Sequence, residues 1–217
     1  MADIFHEVDE DIRRERLKKL WDRFGPYVLG LALLLVVGIG GWRAYEYWQT
    51  QKAQEASVQF EAAVALADAG KQAEAEAAFA KLAENAGTAG YRTMARLRQA
   101  AALTQSDPKA AVAIFDAVAA DSGAGRSFQD LAALRAGIIL VDTATLDDMK
   151  QRLEPLTGPQ RAFRHSAREL LALSAWRTGN MADAKRWSDL IINDAESPIG
   201  MRQRMESLLA LTSEAKG

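Results

Sequence analysis

Residues Phe24–Trp42, FGPYVLGLALLLVVGIGGW, contain no charged side chain and lie between Arg23 and Arg43. A helix over this stretch rises about 1.5 Å per residue and reaches roughly 28 Å, which approaches the roughly 30 Å thickness of a bilayer's hydrocarbon core. The stretch therefore predicts a membrane-spanning helix at residues 24–42. Aromatic residues, which favour the depth of lipid headgroups, stand near both ends: Trp21, Phe24 and Tyr27 at one, and Trp42, Tyr45, Tyr47 and Trp48 at the other.

The basic residues around this stretch predict its orientation. Arginine and lysine favour the cytoplasmic side of a spanning helix, and after the stretch only Arg43 and Lys52 follow closely. We expect residues 1–23 to form a cytoplasmic head and residues 43–217 to lie across the membrane. A cleaved signal peptide, with a small-residue site at Gly38-Ile39-Gly40, is the alternative, although the apolar run exceeds the roughly 7–15 residues usual for such a signal. The head's basic residues are Arg13, Arg14, Arg16, Lys18, Lys19 and Arg23.

The head itself has the spacing of an amphipathic helix. Its basic residues cluster toward the membrane, where they meet anionic headgroups. Two roles stay open, a helix that lies on the inner leaflet and fixes topology, or a docking helix for a partner. Gly25-Pro26 predicts a corner before the spanning helix, because proline disfavours helix in the residue before it. The apolar positions are Ile4, Phe5, Val8, Ile12, Leu17, Leu20, Trp21 and Phe24.

Three glycines and a leucine share one face of the predicted spanning helix. Gly30, Leu34, Gly38 and Gly41 recur at helical spacing. Small residues let a second membrane helix approach closely. We predict that this face contacts a membrane partner. The alternative is that the helix spans the membrane alone and that the glycines have no role in contact.

Composition limits the class of the protein. The 217 residues carry a net charge of -2, which supplies no strong field to attract nucleic acid, and no cysteine, which excludes disulfides, thiolate metal sites and a cysteine nucleophile. Alanine is abundant and prolines number only five, so the chain favours helix. Residues 43–217 are enough for one domain with a sizeable core. We predict an all-α fold, one transmembrane helix followed by a stack of helix hairpins.

Turn residues in the tail recur at a regular spacing. Gly70, Ser106, Asp142 and Gly179 are separated by about 36 residues, a period typical of stacked helix pairs. Each pair leaves an apolar face that its neighbours must cover. The segments between turns have helical periodicity and lack the alternation of strands.

A second pattern follows three of these turns. Gly70 precedes Ala75 and Phe79, and Ser106 precedes Ala111 and Phe115 at the same spacing. The pattern resembles the second helix of a tetratricopeptide repeat, in which the alanine permits close helix contact and the aromatic ring fills the adjacent gap. Gly179 precedes Ala184, with Trp187 one position early, whereas Asp147 breaks the pattern after Asp142. The early tryptophan and crossing glycine of a first helix are not found.

The whole chain resembles the bacterial ancillary subunit of the SecYEG translocon. The resemblance rests on the charged head, the anchor ending in Gly41-Trp42-Arg43, the weak repeats and the closing segment from Gly179-Asn180 to Pro198. It implies a single-pass protein of the bacterial inner membrane with a periplasmic tetratricopeptide-like domain. It also implies SecYEG and periplasmic chaperones as partners. Two rival functions are a scaffold for cell-wall or outer-membrane assembly and a stress-signalling regulator.

No pattern of catalytic residues is found. His6 and His165 are predicted to lie on opposite sides of the membrane, and Glu169 is the nearest carboxylate along the helix from His165. We expect His165 to be an ordinary surface side chain. Asn193, Asp194 and Glu196 lack the spacing of a calcium loop. The sequence predicts a protein that is not an enzyme, with no cofactor, metal or small-molecule substrate.

Binding is the function that the pattern favours. First helices of stacked pairs expose a concave face, where arginines and an aromatic residue suit acidic or extended peptides. Ordinary solvated arginines are the alternative. The predicted face consists of Arg92, Arg96, Gln99, Arg135, Arg164, Arg168 and Trp176.

Overall fold

The computed structural model describes the backbone of residues 3–214 and the side chains of Arg14 and of residues 18–211. The predicted all-α fold is confirmed, since the described backbone contains helices and turns but no strand. Short 3-10 turns occur at Ser122–Ala124 and Glu154–Leu156. The α-helices are α1 (Asp3–Asp68), α2 (Gln72–Asn85), α3 (Ala89–Leu103), α4 (Pro108–Ala120), α5 (Arg126–Leu140), α6 (Leu146–Leu153), α7 (Arg164–Arg177), α8 (Met181–Ile192) and α9 (Ile199–Glu214).

The chain divides into two compact units, Met1–Gln51 and Lys52–Gly217. The first unit contains a stretch of α1 that is long and apolar enough to cross a membrane, and most of its side chains are exposed. The side chains that would form the two faces of the head up to Leu17 lie outside the described residues, as does that of His6. The functional division into a head, an anchor and a domain across the membrane stays a prediction.

The predicted corner at Gly25-Pro26 is wrong, because α1 continues through Pro26. Proline crowds the Cβ of the residue before it, and Gly25 has no Cβ. A side chain at this position would also meet Trp21, whose indole Cε2 lies 3.3 Å from an ideal Cβ at Gly25. Glycine at position 25 therefore removes part of the steric conflict with Pro26. Pro26 itself lacks a backbone N–H donor, and α1 continues through it without a break.

The repeat register is confirmed by the positions of the turns. The chain reverses at Gly70, around Ser106, around Asp142 and at Gly179. The end of α1 therefore pairs with α2, α3 with α4, α5 with α6, and α7 with α8, and α9 packs on α8. Gly70 and Gly179 have φ angles of 76° and 78°, which residues with a side chain rarely adopt.

The alanine-aromatic pattern of the second helices is buried as predicted. Ala75 and Ala111 are fully buried, and Phe79 and Phe115 fill the space beside them. Ala184 and Trp187 do the same in α8.

The third pair reaches close contact by a different arrangement. Asp147 is exposed at the start of α6, and Met149 and Leu153 supply that helix's fully buried side chains. The small residue is on the first helix instead. An ideal Cβ at Gly137 of α5 would lie 3.0 Å from Leu153 Cδ2. A crossing glycine is therefore present in this pair, contrary to the sequence expectation.

The two helices that follow an Asp-Pro or a Ser-Pro pair begin in different ways. The Asp107 carboxylate accepts a hydrogen bond from the Ala110 N–H, and Pro108 begins α4. Ser197 does not cap α9. Its hydroxyl is 2.9 Å from His165 Nδ1, and Pro198 lies just outside the helix and accepts hydrogen bonds from its first turn.

Candidate protein-binding site

First and second helices differ in how closely they approach their counterparts in the next pair. The first helix α5 contacts α7, and α7 contacts α9. Between successive second helices, by contrast, grooves open that have a first helix as their floor. We name two of them the α3 groove, between α2 and α4, and the α5 groove, between α4 and α6.

Three of the seven residues predicted to bind lie together in the α3 groove, which measures about 680 Å³. Each already has a partner within the fold. Arg92 donates to the Ala86 carbonyl at 2.8 Å, Arg96 pairs with Asp121 at 3.1 Å, and Gln99 donates to Glu76 at 2.9 Å. The walls are mostly alanines with one larger apolar and one acidic residue, from Ala80, Ala83, Glu84, Ala113, Ile114 and Ala117.

Arg164 and Arg168 are engaged at the opposite end of the stack. Arg168 is only 9% exposed, and its guanidinium donates to the Leu190 carbonyl at 3.0 Å and the Thr157 carbonyl at 2.9 Å. It also pairs with Asp194 at 3.3 Å. Arg164 pairs with Asp194 at 3.5 Å and with Glu196. Both arginines hold turns against α7, so their donors are largely occupied.

Arg135 and Trp176 occupy the exposed side of the first helices α5 and α7. Arg135 makes no ion pair with any residue that the structure describes. Trp176 is 39% exposed, and Ile138, one turn after Arg135, is 48% exposed. The seven predicted residues therefore divide between three places, namely the α3 groove, a cluster that holds turns against α7, and the exposed side of the first helices α5 and α7.

The α5 groove is larger, at about 940 Å³. Arg152 of α6 pairs with Asp116 of α4 and so connects the two second helices. Arg161 donates to both carboxylate oxygens of Asp130 at 3.1 and 3.0 Å. Arg126, which also lines the groove, has no ion-pair partner among the described side chains.

Sequence reasoning missed the α5 groove, although one signal of it was present. Asp116 and Arg152 are one repeat apart, so they occupy the same register in neighbouring second helices. Opposite charges at that spacing predict a cross-repeat ion pair.

A sequence profile that describes a tetratricopeptide repeat-like domain matches residues 18–187. The chain belongs to this tetratricopeptide repeat-like family. No curated protein and no solved structure matches the chain significantly. Tetratricopeptide repeat-like domains are typically protein-interaction modules without catalytic activity. The surfaces of the helix pairs are therefore the candidate binding sites.

In this tetratricopeptide repeat-like chain the predicted membrane face is on α1. Gly30, Leu34, Gly38 and Gly41 follow helical spacing along it. An ideal Cβ at any of the three glycines would meet no atom within 4 Å, and Leu34 is 71% exposed. No described side chain covers this face.

His165 is not the surface residue that the sequence suggested. Its side chain is mostly buried, with Nδ1 2.9 Å from the Ser197 hydroxyl and 3.8 Å from an Asp194 carboxylate oxygen. Glu169 instead accepts a hydrogen bond from Arg204 of α9 at 2.7 Å. No local sequence pattern predicts this cluster, because Ser197 is 32 residues from His165.

The His165 cluster lacks the geometry of a catalytic triad. Serine and aspartate would have to contact opposite ring nitrogens, whereas both approach Nδ1 here. Nε2 is buried without a hydrogen-bond partner. Within the described part of the chain, no group of three or more metal-binding side chains converges.

We expect residues 52–217 to lose stability as the pH falls from 7.5 to 5.5. Burial, followed by the charges of Arg164 and Arg168, holds the pKa of His165 below its usual value, and Asp194 opposes this shift. A histidine with a lowered folded-state pKa favours its neutral form, so its contribution is present above the unfolded-state pKa of about 6.5 and is lost below it. Urea midpoints at the two pH values measure this change.

The matched variant for the pH experiment is His165→Gln, which cannot titrate. It should have a smaller difference between the two midpoints than the wild-type chain. The pKa of Asp194 is also lowered, chiefly by the backbone N–H of Glu196, but this carboxylate titrates at lower pH. An equal pH dependence in His165→Gln would contradict the assignment to His165.

Proposed function

We propose that this chain is a single-pass membrane protein whose helix pairs bind other proteins. We further propose that it is an ancillary subunit of the Sec translocon in the bacterial inner membrane, with residues 43–217 in the periplasm. In this role the domain links the translocon to periplasmic chaperones. The observation that carries the protein-binding part of this proposal is the tetratricopeptide repeat-like match over residues 18–187.

The sequence order supports the finer statement. A charged head with six basic residues precedes one apolar stretch, and the repeat-like domain follows it. The charge bias favours a cytoplasmic head. The resemblance of the whole chain to the SecYEG ancillary subunit supplies the identity of the partners.

A binding role is also favoured by the chemistry of the described side chains. The His165 cluster lacks triad geometry, and Arg152 and Arg161 of the α5 groove form ion pairs with Asp116 and Asp130 that organise the helix surfaces. Such surfaces recognise polypeptides through charge and shape. We therefore propose that the protein is not an enzyme and requires no cofactor.

Photocrosslinking from α1 in living cells tests the proposal. A photoreactive amino acid at Leu34, on the face that carries Gly30 and Gly38, should give crosslinks to translocon subunits. Crosslinks confined to cell-wall or outer-membrane assembly proteins would favour the scaffold function instead.

A further inference from the structure

A second, apolar depression lies next to the charged α5 groove. Leu140 and Thr143 line the α5 groove, and they also line this smaller apolar groove of about 570 Å³ at the carboxyl end of α5. The two depressions therefore adjoin. The apolar part is lined by Thr104, Pro108, Lys109, Val112, Ile138, Ile139, Leu140 and Thr143.

One stripe of α4 forms a wall along both parts. Lys109 and Val112 face the apolar part, and Asp116 and Ala120 face the charged part. These positions recur at the three- and four-residue spacing of one helix face. We name the joined depression the α4 channel.

The length of the channel suits a short extended peptide. The segment of α4 from Lys109 to Ala120 is about 17 Å long at roughly 1.5 Å per residue. An extended chain rises about 3.3 Å per residue, so about five residues match this length.

The charges of the channel are unevenly compensated. Asp116 and Asp130 are paired with Arg152 and Arg161. The Asp148 carboxylate accepts a hydrogen bond from the hydroxyl of Thr145 at 2.6 Å, and Thr145 in turn caps the start of α6 by accepting from the Asp148 N–H. Lys109 at one end and Arg126 at the other have no ion-pair partner among the described residues, and the apolar part has no acidic lining residue.

We propose that the α4 channel binds an extended segment of about five residues from another protein, with apolar side chains and acidic flanks. An apolar side chain covers Val112 and the half-exposed Ile138, and the acidic residues pair with Lys109 and Arg126. This inference rests on the proposed role in protein binding and names the chemical class of peptide. It places the charged part of the site between the second helices α4 and α6, and the apolar part beside Ile138, one turn after Arg135 on α5.

A binding measurement with a defined peptide tests the inference. The probe is fluorescein-labelled Glu-Leu-Ser-Leu-Glu between Gly-Ser spacers, which has the same pattern in either direction. Fluorescence anisotropy is measured with the full chain in nanodiscs, and empty nanodiscs are the blank. We expect saturable binding that weakens as salt rises, and no binding of the matched peptide with lysine in place of glutamate.

Three variants locate the site. Arg126→Glu and Ile138→Glu should each weaken binding by about tenfold or more, equivalent to about 1.4 kcal/mol. Arg126→Glu places an acid in the first turn of α5, where it favours the helix, and far-UV circular dichroism verifies that each variant is folded. Arg202→Glu reverses the charge of a cation near the start of α9, outside the channel, and should leave binding unchanged.

Two outcomes would overturn the inference. One is no binding of the glutamate peptide up to about 1 mM, a free energy of about -4.1 kcal/mol. The other is equal binding by the wild-type chain and the two channel variants. Neither outcome changes the crosslinks expected from position 34. Rejection of the α4 channel as a peptide-binding site is therefore distinguishable from rejection of the translocon as the partner.

Discussion

Arg168→Met is expected to lower the free energy of unfolding of residues 52–217 by about 1–3 kcal/mol, the cost of leaving buried hydrogen-bond acceptors without a donor. Methionine keeps the apolar stem of the side chain but supplies no donor. The carbonyls of Leu190 and Thr157 lose hydrogen bonds of 3.0 and 2.9 Å, and Asp194 loses a cation at 3.3 Å. Urea unfolding of the full chain in detergent, followed by far-UV circular dichroism, measures the loss.

The control for this prediction is Arg204→Met, which removes another arginine of the same end of the stack. Arg204 pairs with Glu169 at 2.7 Å, and the Arg204 side chain is 60% exposed although that of Glu169 is 16% exposed. Breaking a pair with one exposed partner costs less than breaking a buried pair, so the control should lose less stability than Arg168→Met. Equal losses in the two variants would mean that burial of Arg168 does not determine the stability of this region.

Leu153→Ala is expected to lower the free energy of unfolding by about 2–5 kcal/mol, because Leu153 is fully buried and its loss leaves a cavity. Leu153→Ala should also change the effect of Gly137→Ala on the free energy of unfolding, from destabilising in the wild-type chain to stabilising in the variant. In the wild-type chain the added Cβ would lie 3.0 and 3.1 Å from the two Leu153 methyl carbons, so Leu153 must shift. In the Leu153→Ala background those carbons are gone, and the gain in helix propensity, up to about 1 kcal/mol, remains.

A double-mutant cycle with urea unfolding measures this coupling between α5 and α6. Gly90→Ala in α3 is the matched control, since an ideal Cβ at Gly90 meets no atom within 4 Å. Its effect should be the same with leucine or alanine at position 153. If Gly137→Ala also had the same effect in both backgrounds, the close contact would not constrain this position.

Local patterns were enough to predict the helix pairs and much of their core. Phe79 and Phe115 follow their turns at a fixed spacing, and both are buried. The third pair was not predicted because its close contact involves α5 and α6 together. Glycine at 137 and leucine at 153 carry no shared local pattern, and only the crossing of the helices brings them together.

The binding residues were harder to predict for a different physical reason. An arginine side chain is long, and its position depends on acids and carbonyls distant in sequence. Arg168 reaches Thr157 and Leu190, and Arg161 reaches Asp130. Periodicity alone placed Arg92, Arg168 and Trp176 on one face. In the structure Arg92 and Arg168 are held by different partners, and Trp176 is exposed on α7.

The central claim, a repeat-like binding domain held at the Sec translocon by α1, is tested most directly by site-specific photocrosslinking. The photoreactive residue is placed at Leu34 and, in a matched variant, at Val36, which is about 200° away around the helix at 3.6 residues per turn. Both side chains are exposed on α1. We predict crosslinks to translocon subunits from position 34 and far fewer from position 36. Equal crosslinking from both positions, or none to translocon subunits from position 34, would contradict the account.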